Sequence, residues 1–226
     1  MEKLKRKRNE SLPDSLLYLL TPSHIIDPDI LIPMVIQTLR AGADVIQFWN
    51  KQASVRDLIR VGLGLCDAVH SHGGLLIVND RIDVAIATGA DGVHLGQEDL
   101  PISWAREILG PQKKMIIGVS THSVDQALEA ESEGADYVGF GPIFPTPAKS
   151  GWPGIGTGFF PVLNRRLRIP YFAIGGIDLS NIGELIHAGA SRVAISNGVF
   201  GKNAVGETTI LIKEQLLGLN TKGPNP

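Results

Sequence analysis

The chain has one cysteine, Cys66, among 226 residues, which excludes an intramolecular disulfide framework and a cysteine-rich zinc site and suits a reducing compartment. It lacks an excess of either charge. Twenty-one Lys and Arg against 23 Asp and Glu leave a net −2, which argues against a dedicated nucleic-acid binder. It also lacks a long apolar run: the basic start, with Lys3, Lys5, Arg6, Lys7 and Arg8, is followed only by Leu16 to Leu20, too short for a secretory segment or a membrane span. We therefore expect a cytoplasmic protein with neither nucleic acid nor membrane as a partner. Glycine-rich low-complexity stretches are missing too, although glycine is abundant at 26 residues. With 43% hydrophobic residues the chain can bury a sizeable core, so the glycines must punctuate something regular.

What they punctuate is a repeat. Ala41-Gly-Ala-Asp-Val45, Thr88-Gly-Ala-Asp-Gly-Val93, Glu133-Gly-Ala-Asp-Tyr-Val138 and Ala188-Gly-Ala-Ser-Arg-Val193 are four copies of one phrase, each closing a helical pattern and opening an apolar run. A second apolar run lies in each interval, at Leu75 to Val78, Met115 to Val119 and Tyr171 to Ile174, and Leu16 to Leu20 precedes the first copy. Asp29 to Arg40, Ser54 to Ser71, Ser123 to Ser132 and Asn181 to Ala188 read as helices. Short continuous apolar strands alternating with helices indicate parallel strands under a helical layer. Eight such units predict an α/β fold, a single (β/α)8 TIM barrel, with an open doubly wound sheet as the competing arrangement. We expect residues 1–14 to be a basic flexible tail, 15–217 the barrel and 218–226 a second flexible tail.

In such a barrel the chemistry sits where the strands end. Those ends are polar: Thr21, Gln47 to Lys51, Asn79-Asp80, Gly96 to Asp99, Ser120 to His122, Gly141-Pro142 with Thr146 and Lys149 beyond, Gly175-Gly176 and Ser196 to Gly198. Gly175-Gly176 and Ser196-Asn197-Gly198 follow the last two strands, where these barrels often bind phosphate through backbone N–H groups. Asp80 and Asp99 end neighbouring strands, where two carboxylates can hold Mg²⁺ that takes its other ligands from water and a pyrophosphate. Lys51 and Lys149 would add fixed positive charge. Simpler roles compete with each of these: Asp80 and Asp99 as helix caps, the lysines as solvated surface residues, the glycines as plain turns. His94 reads as a barrel-interior contact, His122 as a candidate for proton transfer, and Cys66 as helical packing.

Five stretches in order, Asn79-Asp-Arg-Ile-Asp83, Gly89 to Asp99, Gly118-Val-Ser-Thr-His-Ser123, Asp136 to Thr146 and Ala173-Ile-Gly-Gly-Ile177, resemble the thiamine-phosphate synthase family, also called thiamine-phosphate pyrophosphorylase. The resemblance runs from about Leu16 to Phe200. It implies joining a hydroxymethylpyrimidine pyrophosphate to a thiazole phosphate, in its carboxylated form with loss of CO₂, by departure of pyrophosphate before the thiazole nitrogen attacks. By the same resemblance Asp80 and Asp99 would bind Mg²⁺. Gln47, Lys51, Asn79, Ser120 and Lys149 would bind the pyrimidine pyrophosphate, with Lys51, Ser120 and Lys149 the catalytic members. Thr146, Gly176, Ile195 and Ser196 would bind the thiazole phosphate. Phosphorylated small molecules are thus the expected partners, and a homo-oligomer stays open. Two positions depart from the family pattern: Trp49 stands where the family has an arginine, and Ala148 where it has a threonine. The alternatives are a thiazole tautomerase of the same fold, in which His122 would move the proton, and a non-catalytic paralogue that binds a thiamine precursor.

Overall fold

The computed structural model describes residues 12–110, 114–147 and 151–218. Eight strands, β1 (Leu17–Leu20), β2 (Val45–Phe48), β3 (Leu75–Asn79), β4 (Gly92–Leu95), β5 (Ile116–Thr121), β6 (Tyr137–Phe140), β7 (Tyr171–Ile174) and β8 (Val193–Ile195), pair in parallel in sequence order. The ring closes through β1 and β8, with Leu17 opposite Val193 and Leu19 opposite Ile195. The helices between them are α1 (Pro28–Arg40), α2 (Val55–Ser71), α3 (Ile82–Thr88), α4 (Ile102–Leu109), α5 (Val124–Ser132), α6 (Phe160–Arg166) and α7 (Ile182–His187). A short α8 (Asn197–Phe200) and the long α9 (Val205–Leu216) complete the chain's described helices. The closed ring is the (β/α)8 barrel and excludes the open doubly wound sheet.

Because the strands are buried on both faces, their alternate residues feed two separate cores. Tyr18, Val45, Leu75, Ile77, Ile116, Tyr137, Phe172 and Ala194 fill the inside of the barrel. Leu17, Leu19, Ile46, Leu76, Val93 and Ile117 belong to a larger core that includes helix residues such as Leu31, Val35, Leu65 and Ile212. Leu12, counted with the N-terminal tail in the sequence reading, is buried and packs with the inner cluster. Pro13 is held as well, its carbonyl accepting a hydrogen bond from Arg192 at 2.6 Å. The remaining tail residues, 1–11 and 219–226, lie outside the described residues.

The repeated phrase closes the lower end of the barrel. Its glycines, Gly42, Gly89, Gly134 and Gly189, all have positive φ, between 71° and 104°, a backbone that L side chains adopt only with strain. The aspartate two residues later does the joining. Asp44 Oδ2 accepts the backbone N–H groups of Leu16 and Leu17 ahead of and in β1. Asp91 Oδ2 accepts that of Leu76 in β3, and Asp136 Oδ2 that of Ile117 in β5. Each carboxylate also meets a basic group from a helix: Lys213 on α9, His70 on α2 and Arg106 on α4. The aspartate before β2, β4 and β6 thereby satisfies an N–H of β1, β3 and β5 respectively that would otherwise be buried without an acceptor. The fourth copy carries Ser191 instead, whose hydroxyl accepts from Arg192.

Candidate functional site

The closed order β1 to β8 decides which strand ends are neighbours. β2, β3 and β4 run side by side, so the Lys51 turn, Asp80 and the Gly96–Asp99 turn form one sector. β6, β7 and β8 form the other, with Thr146, Gly175-Gly176 and Ile195-Ser196.

In the first sector Asp80 is the one non-glycine residue with positive φ, at 60°, among the described residues. Its N–H donates to the His94 carbonyl at 2.8 Å, which ties the end of β3 to β4 and holds the turn in this sparsely populated region. Neither carboxylate caps a helix: α3 begins after Arg81 and α4 after Pro101, both without a side-chain cap. The capping roles are therefore excluded. Asp99 instead turns back to accept the Gly96 N–H at 2.6 Å. A Cβ at Gly96 would lie 2.7 Å from that same oxygen, so glycine there leaves room for the Asp99 carboxylate to turn back.

The two carboxyl groups reach each other. Burial, and then the hydrogen bond and like charge of Asp99, push the Asp80 carboxyl above the usual carboxylate range, while Lys51 pulls it back. Lys51 Nζ lies 3.4 Å from Asp80 Oδ2, and its side chain is 67% exposed. Two hard oxygen donors that repel each other while a single exposed ammonium offsets them fit a small divalent cation such as Mg²⁺, which keeps waters and takes few protein ligands. Among the described residues no set of three or more His, Cys, Asp or Glu side chains gathers to hold a metal, here or elsewhere, so this sector offers the two carboxylates alone.

Gln47, Asn79 and Ser120 lie at the ends of β2, β3 and β5. Gln47 is buried, donates through Nε2 to the Tyr18 hydroxyl at 2.9 Å, and keeps a buried Oε1 with no hydrogen-bond partner. Asn79 is half-buried opposite His94 in register. Ser120 Oγ is 3.0 Å from His94 Nε2, and the other His94 nitrogen, Nδ1, is 3.0 Å from the Tyr137 hydroxyl. Burial lowers the His94 pKa to about 4, with Asp99 opposing the shift, so the ring is neutral near pH 7 and is the satisfied interior contact that its position predicts. Trp49 is half-buried and its backbone N–H donates to Thr21 Oγ1 at 3.1 Å.

In the second sector the glycines serve the protein first. A Cβ on Gly176, at φ 65°, would lie 2.6 Å from the Pro145 carbonyl oxygen, and one on Gly198 would lie 2.2 Å from that of Ile177. These residues let the loops after β6, β7 and β8 touch. Gly176 itself is exposed, while Thr146 and Ser196 are half-buried and Ile195 is buried. Lys149 and Ala148 lie outside the described residues.

His122 also lies at this end of the barrel. Its Nδ1 donates to the Gly141 carbonyl and its ring meets Trp152 edge-on at 5.2 Å. His70, which has no evident partner in the sequence, bonds to Asp91 at the opposite end. Tyr18 and Tyr137 are polar members of the site's floor that the sequence reading missed. Gly118 is the available signal: a Cβ there would overlap the Tyr137 ring at 2.0 Å.

A family model described as thiamine monophosphate synthase matches residues 17–199. The chain belongs to this family. A thiamine-phosphate synthase of Gloeobacter violaceus is 43% identical over 200 residues, covering 88% of this chain and 57% of the relative. One of Chlorobium luteolum is 50% identical over 167 residues, covering 74% and 78%. The chain thus spans little more than half the length of some curated relatives. The solved thiamine phosphate pyrophosphorylase of Pyrococcus furiosus superposes with a TM-score of 0.81 at 35% identity, covering 95% of this chain and 100% of that one. Among the described residues, no helix is long and apolar enough to cross a membrane.

Proposed function

We propose that the chain is a thiamine-phosphate synthase, a transferase that condenses a hydroxymethylpyrimidine pyrophosphate with a thiazole phosphate and releases pyrophosphate, with CO₂ when the thiazole is carboxylated. The observation that carries this reading is the Asp80–Asp99 pair with Lys51 beside it, at the strand ends of a barrel of this family. Asp80 and Asp99 would hold Mg²⁺, which when bound neutralises charge on the pyrophosphate oxygens. Lys51 stands where charge grows on the departing pyrophosphate and stabilises it; Lys149 is assigned to the same task. Gln47, Asn79 and Ser120 orient the pyrimidine, and the packed barrel interior beneath them keeps water from the carbocation that forms as the bond breaks. Thr146, Gly176, Ile195 and Ser196 hold the thiazole phosphate so that its ring nitrogen meets that carbon. Its partners on this reading are soluble phosphorylated small molecules, and we assign it to the cytoplasm, where a chain with one cysteine is at home.

Thiazole isomerisation would need no paired carboxylates beside a lysine, which favours the synthase over the tautomerase. The experiment supplies the thiazole phosphate alone and then both substrates with Mg²⁺. Condensation that survives His122→Ala, without isomerisation of the thiazole alone, is expected. Isomerisation abolished by His122→Ala would replace this reading with the tautomerase, and binding of either substrate without turnover would replace it with a sensor.

A further inference from the structure

Beneath the site an unbroken line of hydrogen bonds crosses the inside of the barrel. Gln47 on β2 bonds to Tyr18 on β1 at 2.9 Å, Tyr18 to Tyr137 on β6 at 2.8 Å, Tyr137 to His94 on β4 at 3.0 Å, and His94 to Ser120 on β5 at 3.0 Å. It links five strands, and two of its four steps, β1 to β6 and β6 to β4, join strands that are not neighbours. Both tyrosines are fully buried, at 2% and 0% exposure, and Gly118 gives up its side chain to admit the Tyr137 ring.

The line has a direction. Gln47 enters it as a donor, through Nε2. Each hydroxyl has one proton to give and a neutral imidazole has one. If Tyr18 donates to Tyr137, Tyr137 donates to His94 Nδ1, and His94 donates through Nε2 to Ser120, every interior proton is used. Reversed, with Gln47 as it stands, Tyr18 would receive from both Gln47 and Tyr137 and its own proton would be buried with no acceptor. Turning the Gln47 amide over gives that proton Oε1 but puts the Nε2 protons where Oε1 now has no partner, and an orphaned buried donor is rarer in folded interiors than an unused acceptor. The forward direction leaves two groups unspent, one at each end: the buried Gln47 Oε1 as an acceptor and the Ser120 hydroxyl proton as a donor.

We propose that Tyr18, Tyr137 and His94 are positioning residues, a one-way relay that presents Gln47 to the substrate as an acceptor and Ser120 as a donor. An aminopyrimidine, which offers an N–H beside a ring nitrogen, matches that pair of polarities. The proposal rests on the reading that Gln47 and Ser120 face the pyrimidine pyrophosphate.

The relay is tested first without substrate, by ¹⁵N NMR of His94 in the full chain, with His94→Gln assigning the signal. The proton is expected on Nε2, with Nδ1 bare; a proton on Nδ1, or an imidazolium at pH 7, overturns the relay. The second test is kinetic. Tyr137→Phe removes the donor to His94 Nδ1, and kcat/KM for the pyrimidine pyrophosphate is expected to fall about 10- to 100-fold with KM for the thiazole phosphate unchanged. Ser120→Ala is expected to match that loss, and the double variant to lose no more than either single one. Additive losses, or an unchanged Tyr137→Phe enzyme, overturn the positioning role. Tyr18→Phe with Tyr137→Phe removes both phenol hydroxyls together, and is expected to fold and show the same loss if Tyr137→Phe alone does not fold. A wild-type chain with the Nε2 proton but no condensation would overturn the proposed function and leave the relay standing; an active chain with the Nδ1 proton would do the reverse.

Discussion

Asp136→Ala tests whether the repeated Gly-Ala-Asp phrase is a clasp between strands. In the wild-type chain Asp136 Oδ2 accepts the N–H of Ile117 and a guanidinium N–H of Arg106, both at 2.7 Å. Ile117 is fully buried, so removing the carboxylate strands its N–H without an acceptor, at a cost of about 1–3 kcal/mol. The Arg106 pair adds little. Its side chains are 35% and 42% exposed, where such pairs are worth at most about 1 kcal/mol, and Arg106 keeps its bonds to the carbonyls of Met115 and Gly134. The total is about 1–4 kcal/mol, which for a barrel of this size lowers Tm by roughly 2–16 °C. Asp136→Asn keeps an oxygen acceptor and loses the charge, so its cost stays within about 1 kcal/mol. Equilibrium urea unfolding at unchanged m-value measures both. Because Asp136 lies at the end of the barrel away from the polar strand ends, kcat/KM well below Tm is expected to be that of the wild type. An alanine variant as stable as the wild type, or an asparagine variant as unstable as the alanine, would refute the clasp.

Other expectations concern the site. Asp80→Asn and Asp99→Asn should each lower kcat about 100-fold or more and raise the Mg²⁺ concentration giving half-maximal rate, as rates measured across a Mg²⁺ titration will show; an unchanged titration would remove the metal assignment. Trp49→Arg introduces a guanidinium in the turn that carries Lys51, and should lower the apparent KM for the pyrimidine pyrophosphate roughly tenfold, as a charged hydrogen bond of about 1.5–3 kcal/mol allows. Unchanged kinetics would mean that the side chain at 49 points away from the anion.

Much of the fold was legible because one phrase recurs. Four copies of Gly-Ala-Asp or Gly-Ala-Ser, each between a helical pattern and an apolar run, allow the eight strands and their parallel order to be read, and the helices predicted from Asp29, Ser54 and Ser123 begin within a residue of α1, α2 and α5. The work of the aspartates was not legible. Asp44 meets Lys213 across 169 residues, and Asp91 meets His70 across 21, and no local pattern announces such partners. The relay was hidden for a different reason. Strands buried on both faces carry apolar residues on both, so the pattern around Tyr18 and Tyr137 does not tell which face looks into the barrel. At the site, the sequence left Asp80 poised between helix cap and metal ligand. What decides against the cap is backbone geometry: a left-handed residue tied to His94, one position too early to cap α3. Gly175, Gly176 and Gly198 stand at the strand ends read from the sequence, and collisions with neighbouring loops are a requirement for glycine there that the sequence did not disclose.

The central claim is tested most directly by incubating the purified chain with hydroxymethylpyrimidine pyrophosphate, carboxythiazole phosphate and Mg²⁺ and quantifying thiamine phosphate and pyrophosphate together. One pyrophosphate released for each thiamine phosphate formed, with neither product in the absence of the thiazole beyond slow hydrolysis, is the predicted result; no thiamine phosphate at high protein concentration would contradict it.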